Sequence, residues 1–200
     1  IDDVTALGVT YFSSAGNSNV ILGGKNVASY EAGAYRGTTC PANVTTTYGM
    51  VSCHDFDPGA GTSSGDNITL NNGGKIQVKL GWNEPQYGIG TDLDLYLVDT
   101  TTNLVVAGSN YRNPGTTRQA YEIFAYTNNS GAARTYQLVV GRLSGADVRF
   151  KFVFNTMSGA TAIQWNTTSG TDVVGPAAFG HNMTPVAGSI GAIRYDTNAA

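Results

Sequence analysis

The stretch DVRFKFVFN, residues 147–155, alternates apolar and polar side chains with a period of two. Successive side chains of a β-strand point to opposite faces, so Phe150, Phe152 and Phe154 are predicted to face a core and Arg149 the other side. The pattern therefore predicts a half-buried strand that supplies aromatic side chains to the core.

The stretch TDLDLYLVD, residues 91–99, follows the same rule. Its three leucines are predicted to enter the core, whereas Asp92 and Asp94 lie one pleat apart on the opposite face. We expect these two carboxylates to be neighbours in water.

Further short runs rich in β-branched and aromatic residues occur at residues 9–14, 75–82, 103–109, 120–128, 134–143 and 188–195. Turn signals separate many of them, among them Asn-Asn-Gly-Gly at residues 71–74. The spacing predicts an all-β domain, a jelly-roll-like antiparallel β-sandwich. Near both ends of the chain the apolar runs are continuous, which is typical of a parallel strand, so short segments of an α/β sheet are predicted to flank the β domain.

The composition indicates an extracellular β-protein. Only 12% of the 200 residues are charged, and Gly, Thr, Ser and Asn take their place. A net charge of −3 and singly scattered basic residues argue against a nucleic acid or an anionic membrane as partner. No apolar run is long enough for a transmembrane helix. We expect the chain to be an internal piece of a larger precursor.

The two cysteines, Cys40 and Cys53, stand in a Thr-, Pro- and Gly-containing stretch that reads as a loop. They are predicted to form one disulfide, worth about 3 kcal/mol for a loop of this length, which favours an oxidising compartment. The alternative is a pair of free, buried thiols.

The stretch GVTYFSSAGN, residues 8–17, resembles the oxyanion-hole segment of subtilisin-like serine proteases, a hydrophobic strand followed by Ala-Gly-Asn. The resemblance implies that Gly16 lets the backbone pass close to substrate and that the Asn17 amide donates a hydrogen bond to the developing oxyanion. The following strand of that family looks like VAGSIGAIRYD, residues 186–196, displaced by well over a hundred residues.

The residues between these ends are similar to the pre-peptidase C-terminal type of β-sandwich, an accessory module of secreted bacterial proteases. HDFDPGAG, LGWNEP, TDLDLYLVD and YEIFAYTN carry this similarity. The resemblance implies three segments: a subtilase segment with the oxyanion-hole strand at 1–27, an inserted β-sandwich at 28–156, and a connector with the return strand at 157–200. It implies a secreted, non-catalytic insertion domain whose partners are the remaining catalytic domain and a protein or peptide substrate.

The chain departs from the family where catalysis is concerned. FGHNMTPVAG, residues 179–188, imitates the family's serine motif but has Asn182 in place of the serine, and an amide is not a nucleophile. No segment resembles those that carry the catalytic Asp and His of the triad. The parent protein is expected to be a serine endopeptidase, and this chain is expected to be inactive alone.

Calcium is the one metal that the sequence favours, although the predicted role requires no cofactor. Asp92 and Asp94 offer hard oxygen ligands, and loop aspartates such as Asp55 and Asp66 could approach them. The alternative is a pair of solvated carboxylates. His54 beside Asp55 could also belong to a metal cluster, but one histidine makes zinc improbable, and Asx turns explain the stretch as well.

Several aromatic residues are candidates for a platform that binds sugar or peptide. Trp82, Tyr87 and Tyr96 are the predicted substrate-binding residues, with Tyr111 as a further member. Packing of Trp82 in or at the rim of the core is the alternative. A stand-alone carbohydrate- or protein-binding module therefore remains open as a second function, and a complete hydrolase would need a nucleophile and a base that the sequence does not offer.

Overall fold

The computed structural model describes residues 1–178 and 186–191. The chain divides into two compact units, one formed by residues 1–18 with 177–200 and the other by residues 19–176. The predicted segment boundaries after residues 27 and 156 both fall inside the second unit.

The described part of the first unit contains a short helix and a pair of strands. Helix α1 spans Asp2–Thr5, and strand β1 (Tyr11–Ser14) pairs in parallel with the last strand, β14 (Ala187–Ile190). Burial of both faces of β1 is expected from its sequence, but Phe12 is 64% exposed and Ile190 55%. The face of this parallel pair that carries Phe12 and Ile190 is therefore exposed to solvent.

The second unit contains β2 (Ile21–Leu22), β3 (Lys25–Asn26), β4 (Ser29–Ala32), β5 (Gly37–Thr38), α2 (Ala42–Tyr48), β6 (Ser52–His54), β7 (Asp66–Trp82), β8 (Asp92–Asp99), β9 (Leu104–Ser109), a π-helical turn (Asn113–Thr117), β10 (Tyr121–Thr127), β11 (Arg134–Ser144), β12 (Phe150–Ile163) and β13 (Val173–Val174). Strands β2 and β3 form a separate hairpin, and the others form one antiparallel sheet.

Strand β7 organises this sheet because its two halves have different neighbours. Residues 66–70 pair with β11, residues 75–81 pair with β10, and β12 pairs along both halves. The sheet therefore curls around its own interior. The all-β, antiparallel prediction is confirmed, whereas the jelly-roll arrangement stays a prediction. The predicted turn at residues 71–74 is wrong, because β7 runs through it.

The main core lies inside the curled sheet. Phe150, Phe152 and Phe154 are fully buried there together with the leucines of β8, as their alternation predicts. A smaller cluster packs on the other face of β8 and β11; it contains Val44 of α2 and Tyr96, and the Tyr48 ring of α2 lies 4.6 Å from the Tyr96 ring. Both faces of β8 are thereby covered, so that all eight of its residues are buried.

The predicted disulfide between Cys40 and Cys53 is present. The stretch that it closes is not simply a loop, because it contains α2. Pro41 stands directly before this helix, Val44 anchors it in the smaller cluster, and Gly49 ends it in the left-handed region with φ +73°. With seven residues α2 is the longest α-helix in the described ranges, and none there could span a membrane.

Candidate functional site

The end of β1 is where the resemblance to subtilisin-like proteases predicts an oxyanion hole. The Ala15 amide extends the parallel pairing by donating to the Ile190 carbonyl at 2.9 Å. Gly16 then turns the chain with φ +87°, a conformation in which any other residue would be strained. Asn17 follows in an exposed position. The backbone thus ends its pairing at Ala15, and the role of Asn17 as an oxyanion donor stays a prediction.

The structure supplies no base for a serine nucleophile within the residues it describes. His54 is fully buried, its Nε2 contacts the Tyr30 hydroxyl at 2.9 Å, and its Nδ1 accepts a hydrogen bond from the Arg36 amide at 3.2 Å. His181, Asn182 and most of the serine-like motif around them lie outside the described residues.

The surroundings of His54 form a buried network that sequence reasoning missed. The Tyr30 hydroxyl donates to Asp172 at 2.7 Å, and the Arg36 guanidinium donates to both oxygens of the same carboxylate at 2.7 Å. Burial and the nearby Arg36 charge lower the pKa of His54 to about 2, so the imidazole is neutral. With Nδ1 accepting, its proton is on Nε2 and points at Tyr30.

This network ties together three distant parts of the second unit. Tyr30 belongs to β4, His54 to β6, and Asp172 to the turn before β13, 142 residues beyond Tyr30. Nothing in the local sequence around Asp172 indicates these partners. The Asx turns predicted after His54 are present, since Asp55 Oδ1 accepts from the Asp57 and Ser63 amides at 3.0 and 2.7 Å.

Asp92 and Asp94 do not lie in water as the alternation predicts. They are 2% and 3% exposed, because the segment that carries the π-helical turn covers them and the Asn113 amide donates to Asp92 Oδ1 at 3.2 Å. Tyr96 donates to Asp94 Oδ2 at 2.8 Å, and Glu122 of β10 is the third buried carboxyl of this acidic cluster. The sequence gives no sign of Glu122 beyond its place as a polar residue in an alternating strand.

Burial dominates the electrostatics of the acidic cluster. It raises the pKa of Asp94 to about 7, with smaller contributions from the Asp92 and Glu122 charges. It also raises the pKa of Glu122 to about 7 against hydrogen bonds from Ser109 and from the Tyr111 amide, which lies at 3.2 Å. Carboxyls with such pKa values hold protons, or need a cation, near neutral pH.

The acidic cluster fits calcium in its chemistry but not in its arrangement. Asp94 Oδ1 and Asn113 Oδ1 are buried without a hydrogen-bond partner, and both are hard oxygen donors of the kind that Ca²⁺ takes. However, across residues 1–178 and 186–191, no three His, Cys, Asp or Glu side chains are placed to hold one metal ion.

The predicted substrate-binding aromatics are not brought together. Trp82 belongs to the main core and donates from Nε1 to Glu84 at 3.0 Å. Tyr96 is buried in the smaller cluster on the other face of the sheet. Tyr87 is 72% exposed on the loop after β7, and it alone of the three is available to a large ligand.

Comparison with known proteins gives no relative: no protein-family model matches the chain, and no curated protein is significantly similar to it in sequence.

Proposed function

We propose that the chain is a non-catalytic insertion domain of a secreted subtilisin-like serine endopeptidase, inserted in the sequence directly after its oxyanion-hole segment. The observation that carries this proposal is the parallel pairing of residues 11–14 with residues 187–190. The 158 residues of a separate compact unit, 19–176, lie between them in the sequence. This is the topology of an insertion between two neighbouring strands of one sheet.

The exposed apolar residues of the first unit support the proposal that β1 and β14 belong to a larger sheet. Parallel strands occur almost only in sheets with both faces covered, and a two-stranded sheet is marginal in water. Leu7 and Val9 are 83% and 54% exposed, in addition to Phe12 and Ile190. The remainder of the catalytic domain is the partner that would cover them.

Asn17 is the proposed oxyanion donor. Its exposed position directly after the left-handed Gly16 leaves its amide available to a substrate carbonyl. The nucleophile and base of the parent enzyme would come from segments other than the described residues of this chain. Under this proposal the isolated chain has no peptidase activity.

The inserted unit would shape the substrate cleft or grip protein substrate, as a jelly-roll-like sandwich of the pre-peptidase C-terminal type. The single core shared by both halves of the curled sheet supports such a sandwich. The disulfide between Cys40 and Cys53 supports an oxidising, extracellular compartment.

Calcium at the acidic cluster is a subsidiary proposal, supported by the partnerless oxygens of Asp94 and Asn113. Side chains would have to turn toward a common point to bind the ion. We expect Ca²⁺ to raise the melting temperature of the chain at pH 8 and to have no such effect on Asp94→Asn. Equal melting temperatures of the unsubstituted chain with Ca²⁺ and with EDTA would refute calcium binding.

The complete protein tests the main proposal through Asn17→Ala. Loss of an oxyanion donor lowers kcat about 10²–10³-fold in this class of enzyme and leaves KM nearly unchanged. Asn19→Ala, an exposed asparagine two residues later, is the matched control and should behave as the unsubstituted protein. A fluorophosphonate probe should label the complete protein, including the Asn17→Ala variant, but not the 200-residue chain.

The proposal fails if Asn17→Ala keeps full activity, or if the 200-residue chain itself is labelled at a serine. It also fails if the complete protein has no segments with the catalytic Asp, His and Ser. The alternative, a stand-alone carbohydrate- or protein-binding module, is favoured by one observation, the exposed tyrosines around Tyr87.

A further inference from the structure

Three exposed tyrosines and three basic residues lie around one end of the second unit. We call this set the basic–aromatic surface; its members are Lys79, Tyr87, Tyr111, Arg112, Arg118 and Tyr121. We propose that it binds an extended polypeptide segment that carries acidic and aromatic side chains. This inference does not depend on the proposed protease.

Backbone contacts bring the members of the basic–aromatic surface together. The loop after β7 meets the segment after β9 where the Tyr87 amide donates to the Arg118 carbonyl at 3.0 Å. That segment leads into β10, which begins at Tyr121, and Lys79 Nζ lies 5.4 Å from the centre of the Tyr121 ring. The Tyr111 amide donates to the Glu122 side chain, and the Asn113 side chain donates to the Gln119 and Tyr121 carbonyls, so the segment from Tyr111 to Asn113 lies at the start of β10.

The three tyrosines of this surface expose a large part of their side chains to solvent. Tyr87, Tyr111 and Tyr121 are 72%, 56% and 38% exposed. Contiguous exposed aromatic surface marks interaction sites in soluble proteins, and tyrosine and arginine are enriched in protein interfaces. A tyrosine also loses little side-chain entropy on binding because it has only two side-chain torsions.

Two residues of this surface have a strained backbone. Tyr87 and Arg118 have φ of +69° and +53°, and only one other non-glycine residue in the described ranges, Asn103, has a positive φ. Such conformations cost about 1–3 kcal/mol each and cluster at ligand-binding loops. The hydrogen bond between the loops joins these two residues, and contacts of this kind are what keep a strained backbone in place.

Hydrogen bonds to Glu84 connect the two ends of the loop that carries Tyr87. Glu84 accepts hydrogen bonds from Trp82 Nε1 at 3.0 Å and from the Thr91 amide and hydroxyl, both also at 3.0 Å. These bonds close the loop from residue 82 to residue 91 over the main core. A preformed loop loses little conformational entropy on binding.

The charges of this surface select an acidic ligand. Glu84 is the one carboxylate of its loop and is engaged as described, while residues 110–118 contain no acidic residue. Arg112 and Arg118 are exposed and form no salt bridge within the described residues. Burial raises the pKa of Asp92, and the nearby Arg112 charge lowers it by a smaller amount. The exposed side chains of residues 110–118 thus carry two positive charges and no negative one, on a chain whose net charge is −3.

A short acidic peptide fits these features better than a long polyanion. Arginine recognises carboxylates through its planar fork, and the tyrosine rings offer faces for aromatic side chains. A polyanion draws its affinity from many basic contacts, whereas this surface has three basic residues and the rest of the chain would repel it.

The test is a binding titration with the 200-residue chain and two fluorescent peptides of about eight residues. One peptide alternates Glu with Tyr, and the other alternates Gln with Tyr. We expect fluorescence anisotropy to show saturable binding of the Glu peptide, weakened about tenfold by the change to Gln and also weakened by added salt. Arg118→Asn and Tyr87→Asn should each weaken binding by a similar factor, because asparagine tolerates the left-handed backbone and removes only the side-chain contact.

Lys75→Gln is the matched charge control. Lys75 is exposed on the same strand as Lys79 but pairs with Thr127 at the far end of β10, roughly 20 Å from Tyr121. Its loss should change affinity by less than about twofold, and all variants should keep the thermal unfolding of the parent chain. The proposal is overturned if the Glu peptide does not bind at millimolar concentration, if the two peptides bind equally, if Lys75→Gln is as harmful as Arg118→Asn, or if dextran sulfate binds and the peptide does not.

Discussion

At the scale of single residues, burial shifts the pKa values of His54 and Glu122 in opposite directions. The His54 imidazole is enclosed by Tyr30 and the Arg36 backbone and stays neutral. The Glu122 carboxyl lies 68 residues further along and is enclosed as completely, but burial raises its pKa toward neutrality. Both effects are desolvation of a charged form, with opposite signs for a base and an acid.

The neutral His54 predicts that the chain becomes less stable as the pH falls. Its folded pKa of about 2 lies below the ordinary value of 6.5, so the unfolded chain binds the extra proton between these values. This contribution is complete above pH 6.5 and is lost as the pH falls, at up to about 1.4 kcal/mol per pH unit. Between pH 7 and pH 5 the free energy of unfolding should fall by about 2 kcal/mol more in the unsubstituted chain than in His54→Gln.

Urea titrations at the two pH values measure this difference. Tyr30→Phe keeps the imidazole and serves as control, because it should retain the pH dependence. Equal losses in the unsubstituted chain and in His54→Gln would contradict the assignment. If His54→Gln does not fold, the His54 ring resonances of the unsubstituted chain give the same answer, since they should not titrate between pH 7 and pH 4.

At the scale of elements, β7 shows where local sequence and tertiary contacts disagree. Asn-Asn-Gly-Gly at 71–74 is a turn signal, but the Gly73 amide donates to the Asn128 carbonyl at 2.7 Å and the Asn128 amide donates to the Gly74 carbonyl at 2.9 Å. The Asn128 side chain also donates to the Leu70 carbonyl at 2.9 Å. Asn128, 54 positions after Gly74, therefore forms the hydrogen bonds to the backbone of this stretch that a local turn would otherwise have formed.

We predict that Asn128→Ala destabilises the second unit strongly. The side chain donates to three backbone carbonyls, those of Leu70, Asn71 and Ala132, and accepts from the Tyr136 hydroxyl at 2.8 Å. Leaving buried groups unpaired costs about 1–3 kcal/mol each, so the free energy of unfolding should fall by about 3 kcal/mol or more. Equilibrium unfolding in urea measures the loss.

The neighbouring Asn129 provides the control for this prediction. It is exposed, so Asn129→Ala should change the free energy of unfolding by less than about 0.5 kcal/mol. An Asn128→Ala chain as stable as the Asn129→Ala chain would show that these bonds do not stabilise β7.

Period-two patterns were sufficient to predict the core strands, because they report which face of a strand is buried. They place the phenylalanines of β12 and the leucines of β8 correctly. They cannot show that a second layer covers the opposite face, and this is why Asp92, Asp94 and Tyr96 are buried against expectation. The π-helical turn and Glu122 lie in other parts of the chain, and only the fold brings them to β8.

At the scale of the whole molecule, the chain joins a β unit to a pair of strands from opposite ends of the sequence. Continuous apolar runs near both ends predict parallel strands, and the two runs do pair in parallel. Short elements of the second unit, such as β5 and β13, have two residues each and carry no periodic signal. The network of Tyr30, His54 and Asp172, which anchors the β13 region, is likewise invisible to local patterns.

The proposed function treats residues 19–176 as an insertion, in the sequence, into a catalytic domain built by the surrounding segments. It is tested most directly by replacing residues 19–176 of the complete protein with a short Gly-Ser linker between Ser18 and Ala177, and by measuring kcat/KM for a chromogenic tetrapeptide and for casein. We predict that tetrapeptide cleavage stays within about tenfold of the complete protein while casein cleavage falls further. A folded protein without residues 19–176 that no longer cleaves the tetrapeptide, or that cleaves both substrates unchanged, would contradict the claim.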